Sequence, residues 1–441
     1  MMFKYLSKLG GRFRKSFLFG FIGTFSLAVG VVQLVSNEND DIILKLLFGA
    51  LCALGLLIVL VSISDCIKTI KELIEREKVK ISINDSNVDE LLDEQRLLVN
   101  GPKIVVIGGG TGLSTMLRGL KSYTNNITAI VTVGDDGGGS GMLRDDLGML
   151  PPGDIRNCIL ALADTEPIME ELLKYRFKEG TLKGQNFGNL FLAAMDGISD
   201  NFEDAVQKMS SVLAVTGKVL PVTLDDMKLI AELENGNRVV GESKIPKEAI
   251  KQKSKIKRLT INPKKAAPLE EALKAIDEAD AIVIGPGSLY TSIIPNLLVN
   301  DIVPTIEKSS AIKIYISNVM TQPGESDNFT VSDHINSLIK HSSKECVEYV
   351  IANNGKIPEE VMERYSKNSS ELVELDKSKI EELGIKVIEG NLAKIQKGYV
   401  KHNTDYLAEL IMATVLEKKL QYNRERTIEY LYISNKISSQ K

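Results

Sequence analysis

The sequence predicts an α/β domain on a mostly parallel sheet with helices on both faces, preceded by an N-terminal two-helix transmembrane hairpin. Three observations carry that expectation. Unbroken Val/Ile runs recur from Lys103 onward, glycine-rich turns close several of them and open helices, and two uncharged apolar segments stand near the start. The runs at 104–107, 127–133, 212–215, Ala281–Ile284, Ile312–Ile316 and 347–351 lack the alternation of a half-solvated strand. Such strands are buried on both faces, as beneath the crossover helices of a parallel sheet. Residues 229–233 and 238–241 flank Asn235-Gly236, the dipeptide of a tight hairpin turn, and predict a local antiparallel insertion.

Residues 17–35 and 46–64 carry no charge, and each has roughly the 17–25 residues that span a bilayer core as a helix. The rival reading of the first is a signal peptide, because Lys4, Lys8, Arg12, Arg14 and Lys15 resemble a basic leader. No small-residue cleavage site follows, and the second segment begins after the short acidic link 37–41. Basic residues precede the first span and Lys68, Lys71, Arg76, Lys78 and Lys80 follow the second, which places both termini in the cytoplasm. The expected organisation is a hairpin anchor over 1–65, a charged helical linker over 66–98 with a polar break at 84–87, and one large domain over 99–441. The linker reads as a solvated helix and is too short to assert a coiled coil.

Composition narrows the function. The net charge of −4, the absence of a long basic block, the lack of Trp and 5% aromatics disfavour nucleic acid as a partner. The 4 cysteines form no CxxC pair and only 3 histidines are present, so neither a zinc site nor a disulfide framework is expected.

Five loops carry the chemistry. The run 103–115 passes from a strand through Gly108, Gly109, Gly110, Thr111 and Gly112 into a helix starting near Leu113. Glycines allow a tight turn and close approach, and free amides at a helix start attract phosphate; the spacing matches neither the dinucleotide fingerprint nor a P-loop. After the second strand come Gly134, Asp135, Asp136 and Gly137. Those acids can accept from ribose or sugar hydroxyls, hold a divalent cation such as Mg²⁺ against phosphates, or merely be solvated. Adjacent residues face opposite ways, so one of the two is expected to enter the site. In Pro151-Pro152-Gly153-Asp154, Asp154 reads as a helix N-cap that sets Arg156 and Asn157 in the first turn. There Arg156 either forks onto phosphate or pairs with a neighbouring acid. Gly184-Gln185-Asn186-Phe187-Gly188-Asn189 opens an apolar helix, and Gly285-Pro286-Gly287-Ser288-Leu289-Tyr290 closes a strand and opens another. Folding alone does not require so many glycine-rich strand-to-helix turns; together they predict a binding site.

In this order the blocks IGGGTGLSTMLRGL, TVGDDGGGSG, LPPGDIRN, FGNLFLAAM, GKVLPVT, GPGSLYTSIIPNLLV and SNVMTQPGESDNFTVSDH resemble the YvcK/CofD-like family, often called gluconeogenesis factors. The resemblance covers about residues 103 to 334, weakening toward the C-terminus. It implies a Rossmann-like α/β fold. One branch transfers a 2-phospholactyl group from a guanosine-diphosphate donor with Mg²⁺. The other, which LYTSIIPNLLV and MTQPGE favour, binds UDP-sugars, notably UDP-N-acetylglucosamine, and supports cell shape and envelope synthesis on gluconeogenic carbon. Two departures weaken acid–base catalysis: the family's GH-x-x-GN becomes Gly184-Gln185-Asn186-Phe187-Gly188-Asn189, and its Arg-His-Asp run becomes Lys401-His402-Asn403.

The resulting expectation is a membrane-tethered UDP-sugar-binding regulator, with no catalytic residue assigned. Ligand contacts are expected from Gly109, Gly110, Thr111, Gly112, Asp135, Asp136, Arg156, Asn157, Asn189, Gly287, Ser288 and Tyr290, and Mg²⁺ from Asp135 and Asp136. Binding itself requires no cofactor; the partners are the membrane, envelope-synthesis proteins and a further copy of the chain. The rival is a Mg²⁺-dependent transferase using the same site. A dehydrogenase is disfavoured by the imperfect glycine fingerprint.

Overall fold

The computed structural model describes residues 11–36, 42–76, 98–99 and 101–422. The chain divides into two compact units, at Asp89 and Glu90. In the first unit, helices Gly11–Ser36 and Ile42–Arg76 pack together. A Cβ on Gly23 would lie 2.9 Å from the Gly55 carbonyl, and one on Gly55 would lie 2.8 Å from that of Gly23. Small residues at this crossing let the two backbones approach, as in lipid-embedded helix pairs. Leu46–Ser64 is long and apolar enough to cross a membrane, and Gly20–Gln33 forms a shorter apolar helix. The linker expected over 66–98 is helical through Arg76; its polar break and the acidic link 37–41 lie outside the described residues.

The second unit is built on seven parallel strands: β1 (Ile104–Gly108), β2 (Ile127–Val131), β3 (Lys218–Pro221), β7 (Ala281–Ile284), β8 (Ile312–Ile316), β9 (Tyr349–Asn353) and β10 (Lys386–Gly390). Their order is β10-β9-β8-β7-β1-β2-β3. Every residue of β1, β7 and β8 is buried, which accounts for the unbroken apolar sequences of β1 and β7, while Lys313 of β8 donates to the Ser309 carbonyl. The expected Rossmann-like α/β fold with a mostly parallel sheet is observed. From β1 the chain builds β2 and β3 on one side, then crosses to β7 on the other. This reversal creates a crevice beyond the carboxyl ends of β1 and β7, the usual ligand position in open α/β sheets.

The hairpin at Asn235-Gly236 forms between β4 (Lys228–Leu233) and β5 (Arg238–Val240), with Gly236 at φ 85°, and β6 (Ile256–Asn262) completes a three-stranded antiparallel insertion. A second hairpin, β11 (Ala393–Gln396) and β12 (Tyr399–His402), precedes the C-terminal helix Thr404–Tyr422. That helix packs on Gly110–Leu120, where a Cβ on Gly119 would lie 2.6 Å from the Thr404 carbonyl.

One strand expectation fails. Residues 212–215 end the helix Phe202–Val212 and turn through Ala214 at φ 47°. Buried Phe202, Ala205, Val206, Met209 and Leu213 keep helical spacing, so the apolar run continues a helical stripe. The sheet strand in this region is β3.

Tyr315 on β8 is fully buried, and its hydroxyl finds no hydrogen-bond partner among the described residues. Burial pushes the phenol pKa up. Tyr315→Phe keeps the ring and removes the unsatisfied group, so thermal melting is expected to report about 1 kcal/mol of added stability.

Candidate functional site

At the end of β1, Gly109 is extended and Gly110 turns at φ 71°, a left-handed conformation suited to glycine. The helix Gly110–Leu120 starts there, earlier than the expected Leu113, and helix geometry leaves its first-turn amides without partners inside the helix. The Gly110 amide donates to Asp154 Oδ2 at 2.7 Å. A Cβ on Gly112 would lie 3.0 Å from the Pro286 carbonyl, and one on Gly287 would lie 3.0 Å from that of Gly109. The loops after β1 and β7 therefore touch backbone to backbone across the switch point.

A cleft of about 210 Å³ opens beside them, lined by Gly110, Thr111, Gly112, Gly287 and Ser288, by Asn318 and Gln322 after β8, and by Lys401 and His402 of β12. Gln322 Nε2 donates to Ser288 Oγ at 2.7 Å and fixes that hydroxyl at the rim. His402 Nε2 lies 3.1 Å from the Ser317 carbonyl, and burial lowers its pKa, favouring neutral imidazole. Among the described residues no carboxylate lines this cleft. Helix-start amides, a serine hydroxyl and a lysine together suit an anionic, phosphate-bearing ligand.

Acids gather on the neighbouring flank. Asp135 Oδ1 accepts from the Gly137 amide at 2.8 Å, while Asp136 Oδ1 accepts from the Ser243 amide of the insertion at 2.8 Å. The two aspartates thus engage different neighbours. Asp154 does not cap its helix as expected: Gly153–Leu162 begins after Pro152, and Asp154 sits in the first turn with its carboxylate drawn to Gly110. Burial pushes its pKa up to about 6, opposed by the Gly110 amide and reinforced by Asp135. Glu242 is pushed up to about 8 by burial and by Asp135, Glu325, Asp136 and Asp154. Buried Glu325 reaches about 7, although the Tyr290 amide and the Thr291 hydroxyl donate to it, each at 3.1 Å. Among the described residues no three His, Cys, Asp or Glu side chains are grouped to hold a metal ion.

These raised values fix a sign. The folded chain retains protons on Asp154, Glu325 and Glu242 that the unfolded chain releases near pH 4, so this contribution to stability is lost as pH rises to about 8. Melting curves are expected to show Glu242→Gln more stable than the parent at about pH 9, by roughly 1–2 kcal/mol after allowing for its partial solvation, with a much smaller difference at about pH 5.

Arg156, Asn157 and Asn189 form a different cluster. Arg156 Nη2 donates to Asn157 Oδ1 at 2.7 Å, and Nη1 donates to Asn186 Oδ1. Asn186 caps Phe187–Gly197 by accepting from the Asn189 amide. Arg156 therefore pairs with amide oxygens and not with a neighbouring acid, the rival to its phosphate role, and burial lowers its pKa to about 10. The Tyr290 phenol reaches Ser337 Oγ at 3.3 Å and its ring meets His341 edge-on, so only its backbone belongs to the loop region. Sequence reasoning assigned no role to Gln322, Glu325, Lys401 or Glu242. The first two lie in the quoted TQPGES block, but nothing local marks Glu242, which reaches the acidic flank through the insertion.

Residues 104–393 match the family described as 2-phospho-L-lactate transferase CofD. A protein of Clostridium acetobutylicum is 52% identical over 98% of this chain and 96% of its own length. A Bacillus subtilis protein named gluconeogenesis factor is 45% identical over 72% of this chain and 99% of its own. A solved Bacillus halodurans structure of the UPF0052 family covers 70% of this chain and 98% of its own, at 46% identity and a TM-score of 0.68. The family match spans the sheet and the glycine loops alike, and the chain belongs to the CofD-like gluconeogenesis factors.

Proposed function

We propose that the chain is a membrane-tethered receptor for a UDP-sugar, UDP-N-acetylglucosamine, and that the bound state regulates envelope synthesis and cell shape during gluconeogenic growth. One observation carries the ligand class: two glycine loops meet at the β1/β7 switch point and bring the helix-start residues Thr111 and Gly112 and the Ser288 hydroxyl to a cleft that no carboxylate lines among the described residues. A diphosphate there would gain amide hydrogen bonds and the favourable end of a helix dipole. Lys401 at the rim adds a cation. The apolar segment Leu46–Ser64 and the basic flanks support tethering with the α/β unit cytoplasmic.

Hard oxygen donors on the acidic flank suit Mg²⁺, which binds through one or two carboxylates while phosphates and waters complete its shell. Asp135 and Asp136 fit equally, because each has Oδ1 engaged by a backbone amide, of Gly137 and Ser243, and Oδ2 without a hydrogen-bond donor among the described residues. A bound ion would neutralise phosphate charge.

The same flank and the family's description support a second reading, a Mg²⁺-dependent transferase acting on a nucleotide-diphosphate donor. Phosphoryl chemistry rests mainly on positioning and charge stabilisation, so the histidine missing at Gln185 does not oppose it. Calorimetric titration with UDP-N-acetylglucosamine and with GDP, each with and without Mg²⁺, separates the readings. Saturable UDP-sugar binding with the ligand recovered intact supports the receptor; preferential GDP binding, or ligand consumption, supports the transferase.

A further inference from the structure

Three polar side chains beside the second glycine loop carry atoms that the fold leaves unused. Arg156, Gln185 and Asn189 are exposed by only 9%, 6% and 4%. Among the described residues, Arg156 Nε, Gln185 Oε1 and Asn189 Oδ1 have no hydrogen-bond partner. A buried polar atom left unpaired carries a desolvation cost, and an isolated case is rare enough to need an explanation. Three such atoms on neighbouring side chains point to a missing partner.

Surrounding contacts hold the unused atoms in place. Arg156 spends both terminal nitrogens on Asn186 and Asn157, which fixes its plane and leaves Nε. A Cβ on Gly188 would lie 2.6 Å from Arg156 Cδ, so the helix start is fitted to that side chain. Gln185 lies against the glycine loop: a Cβ on Gly139 would come within 2.9 Å of its Oε1.

The atom types select the ligand chemistry. The set offers one donor and two acceptors. The ionised oxygens of a diphosphate diester or a carboxylate can only accept, so either would satisfy Nε and oppose both amide oxygens. A hydroxyl accepts and donates at once and suits all three. Vicinal hydroxyls on a ring fit this set.

Position ties the set to the glycine cleft. A Cβ on Gly109 would lie 2.6 Å from Asp154 Oδ2, and one on Gly153 would lie 2.5 Å from Ser140 Oγ and 3.2 Å from Asp135 Oδ2. Ser140 adjoins Gly139, which reaches Gln185. Contacts thus run from the β1 loop through Asp154, Asp135 and Ser140 to Gln185 Oε1, and Asn186, next to Gln185, joins Arg156 and Asn189. Gly138, at φ 50°, faces open space along this strip.

We infer that Arg156, Gln185 and Asn189 form a hydroxyl-recognising subsite for the sugar ring of the nucleotide-sugar, distinct from the diphosphate cradle of Gly110–Gly112 and Ser288. The inference rests on the nucleotide-sugar reading of the cleft and adds that sugar preference is decided at these three side chains. Arg156 donates from Nε to a ring oxygen or hydroxyl, and Gln185 and Asn189 accept from hydroxyls.

The test uses the full chain in detergent, titrated with UDP, UDP-N-acetylglucosamine and inorganic phosphate. Wild-type protein is expected to bind the UDP-sugar more tightly than UDP. Gln185→Leu and Asn189→Leu should each weaken UDP-sugar binding about tenfold and leave UDP within about twofold, about 1.4 kcal/mol of lost preference. Arg156→Lys, with charge retained and Nε removed, serves as a third variant, its fold checked by melting temperature. A parallel loss of UDP affinity would assign these residues to the diphosphate site or the fold, and an unchanged preference would make them structural; either overturns the inference. Competition by inorganic phosphate that disappears in the Gln185→Leu chain would mark an anion site and overturn it too. Wild-type protein that binds neither uridine ligand would overturn the reading of the cleft itself, an outcome distinct from intact binding without sugar preference.

Discussion

A Gly109→Ala chain is expected to lose UDP-sugar binding by at least about a hundredfold, near 2.7 kcal/mol, measured by titration of the full chain. The added Cβ would lie 2.6 Å from Asp154 Oδ2 and 2.7 Å from Thr132 Cγ2. The backbone is not the obstacle, since Gly109 is extended and any residue adopts that conformation. The clash falls on two packed neighbours at once. Asp154 is held by the Gly110 amide, so moving it releases the helix start that faces the cleft. Overpacking of this kind typically costs about 1–3 kcal/mol of stability, and melting should record a loss of that size. Asp154→Asn, which keeps an acceptor for Gly110, should retain most of the binding. If Gly109→Ala binds as tightly as the parent, the β1 loop does not cradle the ligand.

Removal of the first 97 residues is expected to move the chain entirely from the membrane fraction to the soluble fraction. The segment Leu46–Ser64 has a mean hydropathy of 2.8 and is only 11% buried. Phe21 and Leu46 are 68% and 69% exposed, an arrangement that suits a lipid surface. A lysine at Leu57, near the middle of that segment, should oppose insertion by roughly 2.5–3.5 kcal/mol. The α/β unit has grounds to fold without the helices, because 71% of this chain covers all of a solved Bacillus halodurans structure. Fractionation of cells expressing the full and shortened chains reads the result. A full chain that remains soluble would contradict the tethering.

Where local sequence alone decides structure, the chain was readable. β7 and β8 fall on the expected runs because strands buried on both faces carry little besides Val, Ile, Ala and an occasional Lys or Tyr. The Asn235-Gly236 turn was readable for the same reason: its conformation depends on two residues. The run at 212–215 was misread because four apolar residues do not reveal their period without the preceding helix. Asp154 was misread because a first-turn acid looks like a cap until a distant amide, that of Gly110, is brought to it. The meeting of the glycine loops was legible because their residue types are needed wherever backbones meet. Glu242, Gln322 and Lys401 arrive from the insertion, the β8 loop and the last hairpin, and only the assembled sheet brings them to one end.

The most direct test of the account is a structure of the full chain with UDP-N-acetylglucosamine bound. The diphosphate is expected at the amides of Thr111 and Gly112 and the Ser288 hydroxyl, with the sugar ring directed toward Gly138 and Arg156. A ligand seated elsewhere, such as the cleft between Lys103 and Lys274 at the opposite ends of the strands, would contradict it.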